Sequence, residues 1–99
     1  MEIIKNSEGD KLTITLKGRL DAVAAPGLEK ELNASLNGVK ELIFDFASLD
    51  YVSSAGLRTI LVAQKRMNKQ GSLVIKNISD EVYEVFEMTG FSDMIDIER

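Results

Sequence analysis

The chain has no cysteine, no histidine and a single proline. Without cysteine there is no disulfide, no thiolate nucleophile and no Cys/His zinc site. Without histidine a Ser-His-Asp triad lacks its base, so serine chemistry would need a lysine or carboxylate helper or a partner enzyme. Long apolar runs are missing too: none approaches the roughly 18–20 residues of a membrane span. The opening MEIIKNSEGD lacks the basic region and apolar stretch of a secretory signal, so a cytoplasmic chain without a membrane partner is expected. Neither G-x-x-x-x-G-K-[ST] nor G-x-G-x-x-G occurs, which leaves no phosphate loop. Positive charge is also short. A net charge of −4 argues against direct nucleic-acid binding, which rests on Lys and Arg neutralising phosphates. The cluster Lys65, Arg66 and Lys69 reads as a solvated helix face. No metal, cofactor or catalytic residue is expected.

What is present fits one domain spanning 1–99, with 44% hydrophobic residues for a modest core and 28% charged residues for its surface. Residues 2–6 read as an edge strand and SEGD (7–10) as a turn. KLTITLK (11–17) alternates cleanly, as a half-buried strand does. GRLD leads into a helix over about 25–36, with Pro26 in its first turn, a stripe of Leu28, Leu32 and Leu36, and Asn37-Gly38 as the stop. ELIFDF (41–46) predicts a central strand covered on both faces. A second helix is expected from Ser54 to about Lys69, burying Leu57, Ile60, Leu61, Ala63 and Met67. LVIK (73–76) is a short strand. Ser79 caps a third helix that turns Val82, Val85, Phe86 and Met88 inward and stops at Gly90. Residues 91–93 form a turn and 94–97 a last strand. Strands alternating with helices imply parallel crossovers, hence an α/β domain with a mainly parallel sheet and an opening antiparallel hairpin.

In open α/β sheets function gathers beyond the carboxyl ends of strands. YVSSAGLRTIL places Ser53 and Ser54 just past such an end, where a helix begins. Two readings follow, and they are compatible. Ser53 or Ser54 is an N-cap, the ordinary role of serine before a helical pattern. Alternatively a phosphate on one of them would meet unpaired N–H groups and a favourable helix dipole, changing what the surface binds while leaving the domain intact. Gly56 would let another backbone come close. Asp21 caps a chain turn or lines the same edge. Asp45 emerges at a strand end, and Asp50 before Tyr51 reads as turn chemistry. Met88 to Phe91 reads as core or helix-end contact, with a partner surface as the alternative. An enzyme is not expected: Val52 stands two before Ser54, so there is no G-x-S-x-G elbow.

GRLDAVAAPGLEKEL, ELIFDFASLDYVSSAGLRTIL and VYEVFEMTGFSDMIDI, in this order and spacing, resemble the STAS domain of bacterial anti-sigma-factor antagonists over essentially the whole chain. The resemblance implies a mixed, mainly parallel sheet of four or five strands with helices packed mainly on one face. It implies a partner, an anti-sigma factor that is also a serine protein kinase, whose capture frees a sigma factor. Phosphorylation of a serine at the start of the second helix ends the capture, and a serine phosphatase restores it. Aligning Gly56 and Leu57 puts Ser54 on the phosphorylated position, with Ser53, where aspartate is common, as rival acceptor. The implied partner-binding surface comprises Asp21, Ser53, Ser54, Ala55, Gly56, Leu57 and Arg58, on a monomer or weak dimer. The alternatives are a STAS module of another signalling or lipid-transport complex without a phosphoswitch, and a small-ligand or nucleotide-binding domain.

Overall fold

The computed structural model describes residues 1–99. The elements are β1 (Glu2–Glu8), β2 (Lys11–Leu20), α1 (Ala25–Ser35), β3 (Glu41–Val52), α2 (Ser54–Asn68), β4 (Ser72–Lys76), α3 (Asp80–Met88), a 3₁₀ turn (Phe91–Asp93) and β5 (Asp96–Glu98). They build one five-stranded sheet in the order β1-β2-β3-β4-β5. The β1–β2 pair is antiparallel and the other three pairs are parallel. Each parallel step therefore moves the same way across the sheet. Right-handed crossovers taken repeatedly in one direction put every helix on the same face.

That single helix-covered face holds the core. Leu12, Ile14 and Leu16 of β2, Leu42, Phe44 and Phe46 of β3, and Leu73 and Ile75 of β4 pack in one cluster with Leu28, Leu32, Ile60, Met67, Val82 and Phe86 of the helices. Phe46 bridges strand and helix, its ring 5.7 Å from that of Phe44 and 6.3 Å from that of Phe86, a spacing at which tilted aromatic pairs attract. β3 is central as expected, but helices cover only one of its faces. Ile43 points to the other and is sealed there by its sheet neighbours, Thr13 and Val74.

Several boundaries differ from the sequence expectation. The β1–β2 turn is the two residues Gly9-Asp10, with Gly9 at φ 60, so β1 runs on through Ser7 and Glu8. Glycine first in a two-residue hairpin loop is the type II′ preference. β5 begins at Asp96 rather than 94. Met88 is 78% exposed instead of inward, and Val85 and Leu61 are half-buried.

The largest correction is β3, which continues six residues past Phe46 to Val52. Asp50 is therefore an exposed strand residue, not part of a turn. The register against β2 shifts twice, between Thr15 and Lys17 and between Gly18 and Arg19. Each shift inserts one extra β3 residue, as a β-bulge does. The inward residues then fall at Phe46, Leu49 and Val52. A spacing of three hides a strand from any search for alternation.

The exposed edge strand β1 is tied to α1 by Lys5. Its ammonium pairs with Glu31 at 2.6 Å and donates to the Ser35 hydroxyl at 3.1 Å. A charged residue on the helix side of an edge strand also discourages edge-to-edge pairing. The Lys5 hydrogen bond and charge hold the Glu31 carboxyl below its ordinary value of 4.5. A depressed carboxylate stabilises the fold above its unfolded pKa and loses that contribution as pH falls through the folded value. Lys5→Met should return Glu31 toward its ordinary titration in a carboxyl NMR experiment. The stability difference between wild type and Lys5→Met should shrink as the pH falls below the ordinary carboxylate range.

Candidate functional site

At the carboxyl end of the sheet, the last residues of β2 and β3 pair as Leu20 with Val52. The chain leaves β2 into a tight turn and leaves β3 directly into α2. In the turn, Asp21 Oδ1 accepts the N–H groups of Val23 (3.1 Å) and Ala24 (2.9 Å), and its carbonyl accepts Ala25 N–H (2.9 Å). Asp21 thus caps the turn that starts α1 and also lies at the site edge. The turn it stiffens displays Val23, which is 89% exposed.

The two serines separate cleanly. Ser53 has an extended backbone (φ −90, ψ 172), and its Oγ accepts Gly56 N–H at 3.1 Å. Its own N–H donates to the Leu20 carbonyl at 2.9 Å, and its carbonyl accepts Leu57 N–H at 2.9 Å. Ser53 is the N-cap and is held on three sides. Aspartate and serine cap helices about equally well, so serine preserves the local physics where the resemblance implies aspartate. Ser54 opens α2, is exposed, and its hydroxyl bonds no other group of the chain. The N–H groups of Ser54 and Ala55 lie at the first two helical positions and have no intrahelical acceptor.

Gly56 and Leu57, expected on the binding surface, are buried on the inner side of α2. Their side of the helix faces the core and not solvent. A Cβ on Gly56 would stand 2.6 Å from Leu20 Cγ and 2.7 Å from the Leu20 carbonyl oxygen. The backbone that glycine admits is therefore that of β2. Ala55 is half-buried and Arg58 exposed. Both line a groove of about 220 Å³ between α1 and α2, with Ala22, Pro26, Glu29 and Val62. Ser54, Arg58 and Val62 follow at i, i+4, i+8 along the outer side of α2.

Sequence reasoning missed Val23, Val62 and the pair Arg19–Tyr51. The Arg19 guanidinium sits 4.1 Å from the centre of the Tyr51 ring on the helix-free side of the same sheet end. Only the second register shift sets Arg19 opposite Tyr51. The exposure of Val23 likewise follows from the Asp21 turn and has no signature in a run of alanines and valine. Asp45 lies away from the serines, its Oδ1 accepting Ala47 N–H and Asn77 Nδ2–H.

The STAS domain family model matches residues 2–99, and the chain belongs to that family. It is similar to BtrV of Bordetella bronchiseptica, with 37% identity over 93 residues that cover 92% of this chain and 80% of BtrV. It is similar to the anti-sigma-B factor antagonist of Listeria monocytogenes, with 34% identity over 100 residues that cover 97% of this chain and 86% of the relative. The fold matches the anti-sigma factor antagonist SpoIIAA in its unphosphorylated form, with a TM-score of 0.79 at 19% identity over 99% of this chain and 88% of that one. The phosphorylated form of SpoIIAA matches at 0.77, over 99% of this chain and 92% of that one.

The distinct roles of the serines are measurable as stability. Ser53→Ala should cost about 1 kcal/mol through the lost cap, a fall of roughly 4–8 °C in Tm for a domain of this size. Ser54→Ala should leave Tm nearly unchanged. Gly56→Ala should destabilise by about 1–3 kcal/mol in urea unfolding, because the Leu20 backbone cannot yield as a side chain would.

Proposed function

We propose that the protein is an anti-sigma factor antagonist whose capture of its partner is ended by phosphorylation of Ser54. The observation that carries this reading is the division of labour at the start of α2. Ser53 is consumed as the cap, so Ser54 is free for another enzyme to modify without loss of the cap. Its hydroxyl has no hydrogen-bonded base in this chain, which suits a substrate rather than a nucleophile. Relatives named as antagonists support the class, and the surface supports the mode of action.

The partner is an anti-sigma factor that is also a serine kinase, and a serine phosphatase reverses the modification. The unmodified surface beside Ser54 offers Ala55, Arg58 and Val62 of α2, with Ala22 and Pro26 across the groove, one cation among small or apolar groups on a stiff turn and two helices. Stiff groups lose little entropy on docking. The kinase must reach Ser54, so docking surface and phosphoacceptor overlap. Phosphate adds about −1.5 to −2 charge, which brings repulsion and desolvation cost into a fitted interface. Should that cost be ~3 kcal/mol, affinity falls more than a hundredfold, at about 1.4 kcal/mol per tenfold. The fold tolerates the charge because it meets the unpaired N–H groups and positive end of α2. The protein works in the cytoplasm as a monomer or weak dimer, on this reading.

The geometry favours this over a small-ligand domain. Ligand crevices of open α/β sheets form where crossovers diverge to opposite faces. Here every crossover turns the same way, and no such crevice opens.

Phosphosite mapping of protein taken from its own cells under denaturing lysis tests the switch. Occupancy at Ser54 should change between growth and stress or stationary phase. Ser54→Ala should bind the cognate anti-sigma factor constitutively and Ser54→Asp poorly. Equal affinity of wild type and both variants would sink the reading, and phosphate on Ser53 alone would move the acceptor by one residue.

A further inference from the structure

Charge is distributed unevenly along the chain. Residues 77–99 hold seven of the 16 acidic residues and one of the 12 basic ones, so this segment nets −6 and the rest of the chain +2. The lone cation, Arg99, is engaged with Asp80 and lies 4.1 Å from the centre of the Tyr83 ring. Glu98 faces Lys76 at 3.9 Å. Glu81, Glu84, Glu87, Asp93 and Asp96 have no cation from any element within ion-pairing distance.

The same segment carries exposed apolar side chains. Glu81, Glu84 and Met88 fall at i, i+3, i+7 along the outer side of α3, with Glu87 beside them. Met88 is 78% exposed, and Met94, just past the 3₁₀ turn, is 51% exposed. Neither contributes to the core, which is filled by Val82, Phe86 and Ile95 from the same region. The last turn of α3 has no basic residue and contains Glu87, against the preference of a helix C-terminus for positive charge. Folding alone does not call for this arrangement.

We propose that the outer face of α3 and the turn that follows it, with the exposed Met88 and Met94, dock a cationic amphipathic segment of a partner protein. The charge selects the class of occupant. Nucleic acid and anionic lipid are both repelled by unpaired carboxylates, whereas a segment with Lys and Arg around apolar residues is complementary to them. Methionine is the adaptable apolar contact such helices use. α3 starts at the carboxyl end of β4 and runs back toward the other end of the sheet, so Met88 lies away from Ser54. A partner held here leaves Ser54 accessible, and the surface does not depend on the phosphoswitch.

Methyl NMR of the full chain provides the test, because it has four methionines: Met1, buried Met67, and the pair in question. The probe is a synthetic amphipathic lysine–leucine helical peptide, with a glutamate–leucine peptide as control. The cationic peptide should shift the Met88 and Met94 methyls and leave Met1 and Met67 in place, and raised salt should weaken the effect. Met88→Ser and the double variant Glu84→Gln/Glu87→Gln should each weaken binding about fivefold or more with unchanged Tm, since all three positions are exposed. Ser54→Asp should bind the peptide as wild type does. The proposal is overturned by shifts centred on Met1, by equal response to both peptides, or by unchanged affinity in the charge variant. Concentration-dependent shifts of Met88 without peptide would also overturn it, because a second copy would then be the occupant.

Discussion

The hydrogen bond from Ser53 N–H to the Leu20 carbonyl, with Gly56 pressed against the same residue, is the constraint on which the rest of the site depends. It joins the end of β2 to the start of α2 at backbone contact distance. No side chain is tolerated there, so the approach is set by main-chain geometry. Because Leu20 is fixed, the Asp21 turn that follows it is fixed beside the helix start. The turn after β2 and the first turns of α2, far apart in sequence, thereby share one groove, lined by Ala22, Pro26, Ala55 and Arg58.

Two further features of the fold serve that junction. The bulges let β3 reach Val52, well beyond the end of β4, so the site projects from the sheet edge. The uniform sense of the crossovers keeps all three helices on one face and leaves the sheet without a crevice between helices on opposite faces. A projecting, partly apolar surface offers a protein partner an accessible edge to dock on. The same topology sends the C-terminal end of α3 to the opposite end of the sheet and gives the domain two separable faces.

Much of this was legible in the chain itself. The Leu28–Leu32–Leu36 stripe, the alternation of residues 11–17, the cap at Ser79 and the stop at Gly90 all act over a few residues, and each appears where its local pattern put it. The parallel sheet followed from the alternation of element types. What misled was every case in which a neighbour replaced the local period. Leu49 and Val52 turn inward only because bulges against β2 shift them, so residues 47–52 do not read as a strand and Asp50 passes for a turn. Met88 falls on an apolar helical period, yet the core above it is already filled by Phe86 and Ile95.

The sequence by itself determined the class of chemistry. The lack of thiol and imidazole excluded cysteine and histidine chemistry, and the pattern of residues 51–61 made two adjacent serines at a helix start the candidate site. It determined the element order and family resemblance as well, because helix periods, caps and turn residues are local. Tertiary structure decided which serine is spent and which is free, since that rests on the hydrogen bonds from Gly56 to Ser53 and from Ser53 to Leu20. It also decided which residues surround the free one. Ala55 and Arg58, beside Ser54 on α2, share a groove with Ala22, Pro26 and Glu29 because the turn after β2, α1 and α2 converge there, and convergence of separate elements leaves no trace in any short stretch of sequence.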